Sequence, residues 1–159
     1  MKLLLDTAYL LPAVGISIKT IPKDALIKLN AQGHKIAVSE ITIFELSAKA
    51  AKYINSNELY PERVMNGIRA LTFDESITRI PTHQSEVLLT AFEFRRIMID
   101  FIDCVILSTA LNHCDTLVTE DKFIKGLCEN KHFLEIRSSI NPAFKIQSYL
   151  ELQNDCSDN

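Results

Sequence analysis

The stretch DFIDCVILSTALNHCDTLVTEDKF, residues Asp100 to Phe123, decides how the rest of the chain reads. Its centre, from Asp103 to Asn112, is a helix pattern too apolar to leave any broad face in water. A break at Asn112–Asp115 follows, then a short strand, Thr116–Thr119, that ends on Glu120 and Asp121. A carboxylate at the start of a buried helix and another just past a buried strand is what an α/β fold gathers on one rim of its sheet. Two further places can supply acid to the same rim. Asp6 closes the first apolar run, KLLLD, and Glu45 sits inside ITIFELSAKA.

Working outward, Lys2–Leu5 has the form of a central parallel strand, buried on both faces. Pro22 opens a helix with Ala25, Leu26 and Leu29 on one face and Gly33 at its C-terminal end. Lys35–Val38 is a second strand, and Ser39 is the N-cap of a helix from Glu40 to Tyr53, with Ile41, Phe44, Ala48 and Ala51 as its apolar stripe. A short helix over Glu62–Leu71 and a strand over Thr78–Pro81 follow. The next helix runs to about Met98, with Val87, Leu88, Ala91 and Phe92 inward. Beyond the organising stretch, Phe123–Glu129 is a short helical turn, Phe133–Ile136 is a last strand, and Asn141–Pro142 starts a helix. Strands alternating with helices imply an α/β fold with a short, mostly parallel sheet flanked by helices on both faces. One domain over residues 1–153 is expected, with 154–159 as a flexible C-terminal tail.

Composition narrows the function. The chain has 159 residues, 47% hydrophobic and 23% charged, which suits one globular domain rather than disorder. A formal net charge of -3 argues against a protein that coats nucleic acid, but leaves room for one that cuts it. Cys104, Cys114, Cys128 and Cys156 form no CxxC pair, and the His113–Cys114 pair completes no zinc spacing. No run is long and apolar enough for a membrane span, and Asp6 interrupts the one stretch that resembles a leader. The expectation is a reducing, cytoplasmic compartment without membrane contact.

Each acid has an ordinary explanation. Asp6 can cap or turn, Asp103 can be the N-cap of its helix, Asp121 can sit in a solvated turn, and Glu45 can pair with Lys49 one helical turn away. Together they are harder to dismiss. Crowded carboxylates raise one another's pKa unless a cation stands among them. A hard divalent ion, Mg²⁺ or Mn²⁺, suits an all-oxygen donor set, and could activate water and offset charge on a phosphodiester. Phosphate-accepting domains fit less well: Ala8 stands where a haloacid-type phosphatase needs a second Asp, and the acid pair and late lysine of a receiver domain are missing.

LLLDTAYL, VSEITIFELSAK, IDFIDCVILSTAL and LVTEDKF, in that order and spacing, resemble the PIN domain, in particular the small VapC-type toxins. The resemblance spans roughly residues 2 to 150. It implies a PIN-like three-layer sandwich, an acidic pocket binding Mg²⁺ or Mn²⁺, and metal-dependent cleavage of RNA. Carried over by motif, Asp6, Glu45, Asp103 and Asp121 are the catalytic and metal-binding acids. Thr119 and Thr7 are their hydroxyl supports, and Asp100 is an outer residue. The resemblance also implies a small antitoxin as partner and a homodimer. The chain departs from the pattern at Val105, Ile106 and Leu107, which make the third motif bulkier, and at Glu120, where the family often carries a basic residue.

Cations for phosphate contact are sought at Lys49, Lys52 and Lys122, and at Arg95 and Arg96. Tyr9, Phe101 and Phe123 read as core or pocket wall before they read as base-stacking surfaces. Two other readings stay open: an RNA-processing nuclease without a toxin role, and an inactive module that binds RNA or a protein.

Overall fold

Three consecutive leucines give β1, Lys2–Leu5, apolar side chains on both faces, so it is stable only inside a sheet that is covered on both sides. The computed structural model, which describes residues 1–157, has it there. β2 (Lys35–Ser39) and β4 (Thr116–Val118) flank β1, with β3 (Ile77–Ile80) outside β2 and β5 (Lys145–Gln147) outside β4. Every pairing is parallel, and Leu4 stands opposite Ala37 on one side and Leu117 on the other. The order β3-β2-β1-β4-β5 changes direction between β1 and β4. Open α/β sheets leave a crevice at that point, outside the C-terminal strand ends.

Alternation along β1 divides the core. Leu3 and Leu5 join a cluster with α1 (Thr7–Leu10), α2 (Ala25–Ala31), α3 (Glu40–Asn55) and α4 (Pro61–Phe73). Leu4 joins the opposite cluster with α5 (Ser85–Phe94), α6 (Phe101–His113), α7 (Lys122–Gly126) and α8 (Lys131–Ile140). α9 (Tyr149–Ser157) returns to the first face through Leu152. The result is the three-layer α/β sandwich expected from the sequence.

α6 is the helix the organising stretch called for: every residue from Cys104 to Leu111 is buried. A helix enclosed in this way must satisfy its own hydroxyls. Ser108 donates to the Val87 carbonyl at 2.5 Å and Thr109 to the Val105 carbonyl at 2.7 Å. On the other face α4 presses on the 3-10 turn Leu11–Val14 at Gly67, where a Cβ would lie 2.2 Å from the Ala13 carbonyl oxygen. Only glycine allows that approach.

Several local expectations are corrected. The buried side of α3 carries Thr42, Leu46 and Ala50, while Phe44 is 66% exposed and Ala48 and Ala51 face water. The sequence offers two adjacent apolar stripes, and the phase is set where the helix leaves β2, with the Ser39 hydroxyl against Thr109 of α6 at 3.2 Å. Ser39 therefore occupies the N-cap position without capping by its side chain. In α5, which ends at Phe94, Phe94 is inward and Phe92 is exposed.

Phe133–Ile136 is helical rather than a strand. The Asn130 side chain accepts from the Phe133 N–H at 3.1 Å and starts α8, which buries Phe133 as its anchor. Asn141–Pro142 forms a turn into β5 instead of a helix: the Phe144 N–H bonds the Asn141 carbonyl, and the Asn141 side chain donates to the Cys114 carbonyl. Of the supposed tail 154–159, residues through Ser157 belong to α9, and Asp158 and Asn159 lie outside the described residues.

Candidate active site

The rim begins where β1 stops. Asp6 donates its backbone N–H to the Val118 carbonyl at 3.1 Å, so β1 and β4 remain joined up to the acid itself. Its Oδ1 accepts from the Thr7 N–H at 2.7 Å, capping α1, and its Oδ2 accepts from the Thr119 hydroxyl at 2.6 Å. Thr119 is wholly buried, and its oxygen also accepts from the Asp121 N–H at 3.1 Å. Thr7 donates its hydroxyl to Glu45 Oε2, while Lys49 Nζ lies 2.7 Å from Glu45 Oε1. Burial pushes the Asp6 carboxyl above the usual carboxylate range, and Glu45 adds to this. The Thr119 and Thr7 hydrogen bonds and the Lys49 charge oppose it.

Asp103 is different. It lies in the first turn of α6, and the N-cap role belongs to Asp100, whose Oδ1 accepts from the Ile102 N–H at 2.8 Å. Among the described residues the Asp103 carboxylate has no hydrogen-bond or ion-pair partner. Its pKa is pushed up to about 7, first by burial and then by the charges of Asp100, Asp6, Glu45 and Asp121. The last three are the other acids singled out by motif, and each stands near enough to act on Asp103. Asp121 caps α7 through hydrogen bonds from the Phe123 and Ile124 N–H groups at 2.7 and 3.0 Å. The solvated turn considered for Asp121 is in fact a helix N-cap, and it stands on the same rim.

The cations divide. Lys49 is engaged by Glu45 beside the acids. Lys122 opens α7 next to Asp121, exposed and without an ion pair among the described residues. Lys52 lies further along α3 in a shallow depression with Tyr53, Ser56 and Glu58. Arg95 is spent on the Met98 carbonyl at 2.9 Å, and Arg96 on Glu93 at 3.0 Å. Arg95 holds the α5–α6 connection, and Arg96 is paired on the surface at the end of α5.

Glu120 carries a contact that sequence reasoning missed. Its Oε1 accepts from the Tyr9 hydroxyl at 2.5 Å and from the Tyr149 N–H at 3.2 Å, while the Tyr149 N–H also lies 2.9 Å from the Tyr9 oxygen. Burial, followed by the Glu120 hydrogen bond, pushes the Tyr9 phenol far above its ordinary value. Glu120 therefore ties the start of α9 to the β4 end. Tyr9 lies 111 residues from Glu120 and Tyr149 29, and no local pattern could reveal either contact.

The donor set is all oxygen, which suits a hard divalent cation. Among the described residues, however, no three His, Cys, Asp or Glu side chains form a group that could hold a metal ion. The arrangement fits an ion of the Mg²⁺ type, which is commonly held by one or two carboxylates and keeps water in its other positions, better than an all-protein cage. Without a cation, the acids outnumber the two lysines beside them, Lys49 and Lys122, and the rim repels phosphate.

A family model for the PIN domain matches residues 3–129. No curated protein sequence matches the chain. Among solved structures, the fold is similar to that of VapBC2 from Rickettsia felis bound to a DNA fragment from its promoter. That match has 18% identity and a TM-score of 0.55, covering 92% of this chain and 98% of that one. It is also similar to VapC20 from Mycobacterium tuberculosis, a toxin that cleaves the sarcin-ricin loop. Here identity is 11% and the TM-score 0.56, covering 78% of this chain and 94% of that one.

Proposed function

The chain belongs to the PIN domain family, and from that premise we propose that it is a metal-dependent endoribonuclease, the toxin of a toxin–antitoxin pair. One observation carries the reading: Asp6, Glu45 and Asp121, from three separate segments, all act on the Asp103 carboxyl at the crevice between β1 and β4. Of Asp6, Glu45, Asp103 and Asp121, one or two would hold Mg²⁺ or Mn²⁺ directly and the others through its water. When bound, such an ion supplies an activated water and neutralises charge on the phosphodiester.

The protein's own groups do the rest. Thr7 and Thr119 fix the rotamers of Glu45 and Asp6 by donating to them, so those carboxylates need no reorganisation when substrate arrives. Lys49 and Lys122 supply the positive charge that phosphate needs at an acidic rim.

The toxin role is supported by the similarity to VapBC2 and VapC20. It implies a small antitoxin and a homodimer, for which exposed Phe44, Leu89 and Phe92 offer apolar surface. A second reading, an inactive module that binds RNA or protein, is favoured by the lack of a three-ligand cluster among the described residues.

The test is cleavage of a mixed RNA pool in Mg²⁺, Mn²⁺ or EDTA, with Asp6→Asn and Asp103→Asn alongside. Metal-dependent cutting lost in both variants is the expected result. Absence of cutting, together with no calorimetric metal binding, selects the binding module. Growth arrest on expression, relieved by a neighbouring small protein, separates a toxin from an RNA-processing nuclease.

A further inference from the structure

Beside the acids lies a cavity of about 210 Å³ lined by Met98, Ile99, Asp100, Asp103, Asp121 and Phe123. Two of its apolar members stand largely in water, Ile99 at 89% and Phe123 at 56% exposure. Resting on the nuclease reading, we propose that this cavity receives one unpaired nucleobase next to the bond that is cut. Phe123 is its stacking face and Asp100 the acceptor for its edge.

The chemistry of the lining selects among the parts of a nucleotide. A phosphate is drawn to the cation that Asp103 and Asp121 would hold, but Asp100 repels it from the rest of the cavity, where no lining side chain donates to it. A base is neutral and planar, and its apolar face matches an aromatic ring. Single-stranded RNA is recognised in this way, by bases splayed onto aromatic side chains and read along their edges. Phe123 is well held for the role, because its backbone N–H donates to Asp121 Oδ1 at 2.7 Å. Ring and acid thus share one turn of chain, and a base on the ring brings its neighbouring phosphate to the acids.

Asp100 uses Oδ1 to cap α6. Its Oδ2 has no partner among the described residues. A carboxylate only accepts, so it favours an edge with an exocyclic amino group, as in cytosine, adenine or guanine, over uracil, whose one edge donor, N3–H, lies between two carbonyls that the carboxylate repels. An apolar side chain from a protein partner would instead leave that carboxylate desolvated with no donor.

The experiment measures binding of short labelled oligo-C, oligo-A and oligo-U by fluorescence anisotropy in Ca²⁺, and maps the cut sites in a mixed RNA pool in Mg²⁺. The full chain is compared with Phe123→Ala, Phe123→Tyr and Asp100→Asn. Phe123 is exposed and Asn retains an N-cap, so all three variants should fold, which circular dichroism checks. Removing the ring is expected to weaken RNA binding about tenfold or more, and Tyr to restore it. Asp100→Asn should erase the preference against oligo-U and broaden the base beside the cut.

Unchanged RNA affinity and cutting in Phe123→Ala would overturn the proposal, and an unchanged base preference in Asp100→Asn would overturn its edge contact. A cavity that binds an arginine-rich peptide through Phe123, with RNA unaffected, would belong to a protein partner and overturn it too. If the chain cuts nothing, the nuclease reading fails, yet Phe123-dependent RNA binding still upholds the cavity and its absence still overturns it.

Discussion

The two halves of the acidic rim are built differently. On the β1–α3 side, both Asp6 oxygens and both Glu45 oxygens have a partner: Thr7, Thr119 or Lys49. On the α6–α7 side, Asp103 has none among the described residues, and two apolar side chains beside it, Ile99 and Phe123, stand largely in water. Hydroxyl donors hold the first half in one geometry before anything binds. The second half keeps its carboxylate unsatisfied and its pKa high. A carboxylate in that state is stabilised by whatever brings positive charge or a donor to it. One half orients and the other receives.

The largest effect should come from the unsatisfied acid. Asp103→Asn is expected to lower RNA cleavage by roughly a hundred- to ten-thousand-fold, read from initial rates in Mg²⁺. In EDTA near pH 8 the same variant should melt higher than wild type, by roughly 2–4 °C, because a repelled, half-buried charge is gone. A variant both inactive and less stable would contradict the contrast between the halves.

The pH dependence has a definite sign. Asp103 goes from an ordinary 3.8 to about 7 on folding, so the native state binds its proton more tightly than the unfolded chain. Its contribution in the metal-free protein is therefore most favourable below pH 3.8 and is lost as pH rises towards 7. Urea titrations across that range should show a decline that Asp103→Asn flattens, and that a divalent cation reduces if it binds the native state.

On the satisfied side the expected loss is structural. Thr119→Val removes the donor to Asp6 Oδ2 and the acceptor for the Asp121 N–H together. It should cost about 1–3 kcal/mol in chemical denaturation, with Ser recovering most of it. Glu120→Gln and Tyr9→Phe each disturb the tether to α9 and should cost about 0.5–1.5 kcal/mol. Because they share one network, the double variant should lose less than the sum of the two. Smallest is Lys49→Met, at most about 1 kcal/mol, since the lysine is partly solvated. Its effect should appear more in the salt dependence of RNA binding than in stability.

Much of this was legible because it depends on short-range pattern. A run of leucines closed by an acid, KLLLD, has few uses other than a central strand ending on a rim. The apolar stretch from Cys104 to Leu111 has none other than burial. Errors arose where two local solutions were equally good. FLEI is a short apolar run of strand length but follows an asparagine that caps a helix. α3 carries two apolar stripes, and only its packing against the sheet selects one. Glu120 read only as a departure from the family's basic residue because its partners, Tyr9 and the Tyr149 N–H, lie 111 and 29 residues away in the chain.

The sequence by itself determined the sheet's central strands, the buried helix and the places of Asp6, Asp103 and Asp121 at element ends. Hydrophobic period and the abrupt change from apolar to charged are local properties that each segment carries wherever it is placed. Only the tertiary structure decided which carboxylate oxygens are occupied, which way Glu120 turns, and that Ile99 and Phe123 frame a cavity with Asp100. Those depend on atoms from distant segments meeting at hydrogen-bond distance, and the direction of a side chain is set by its neighbours in space.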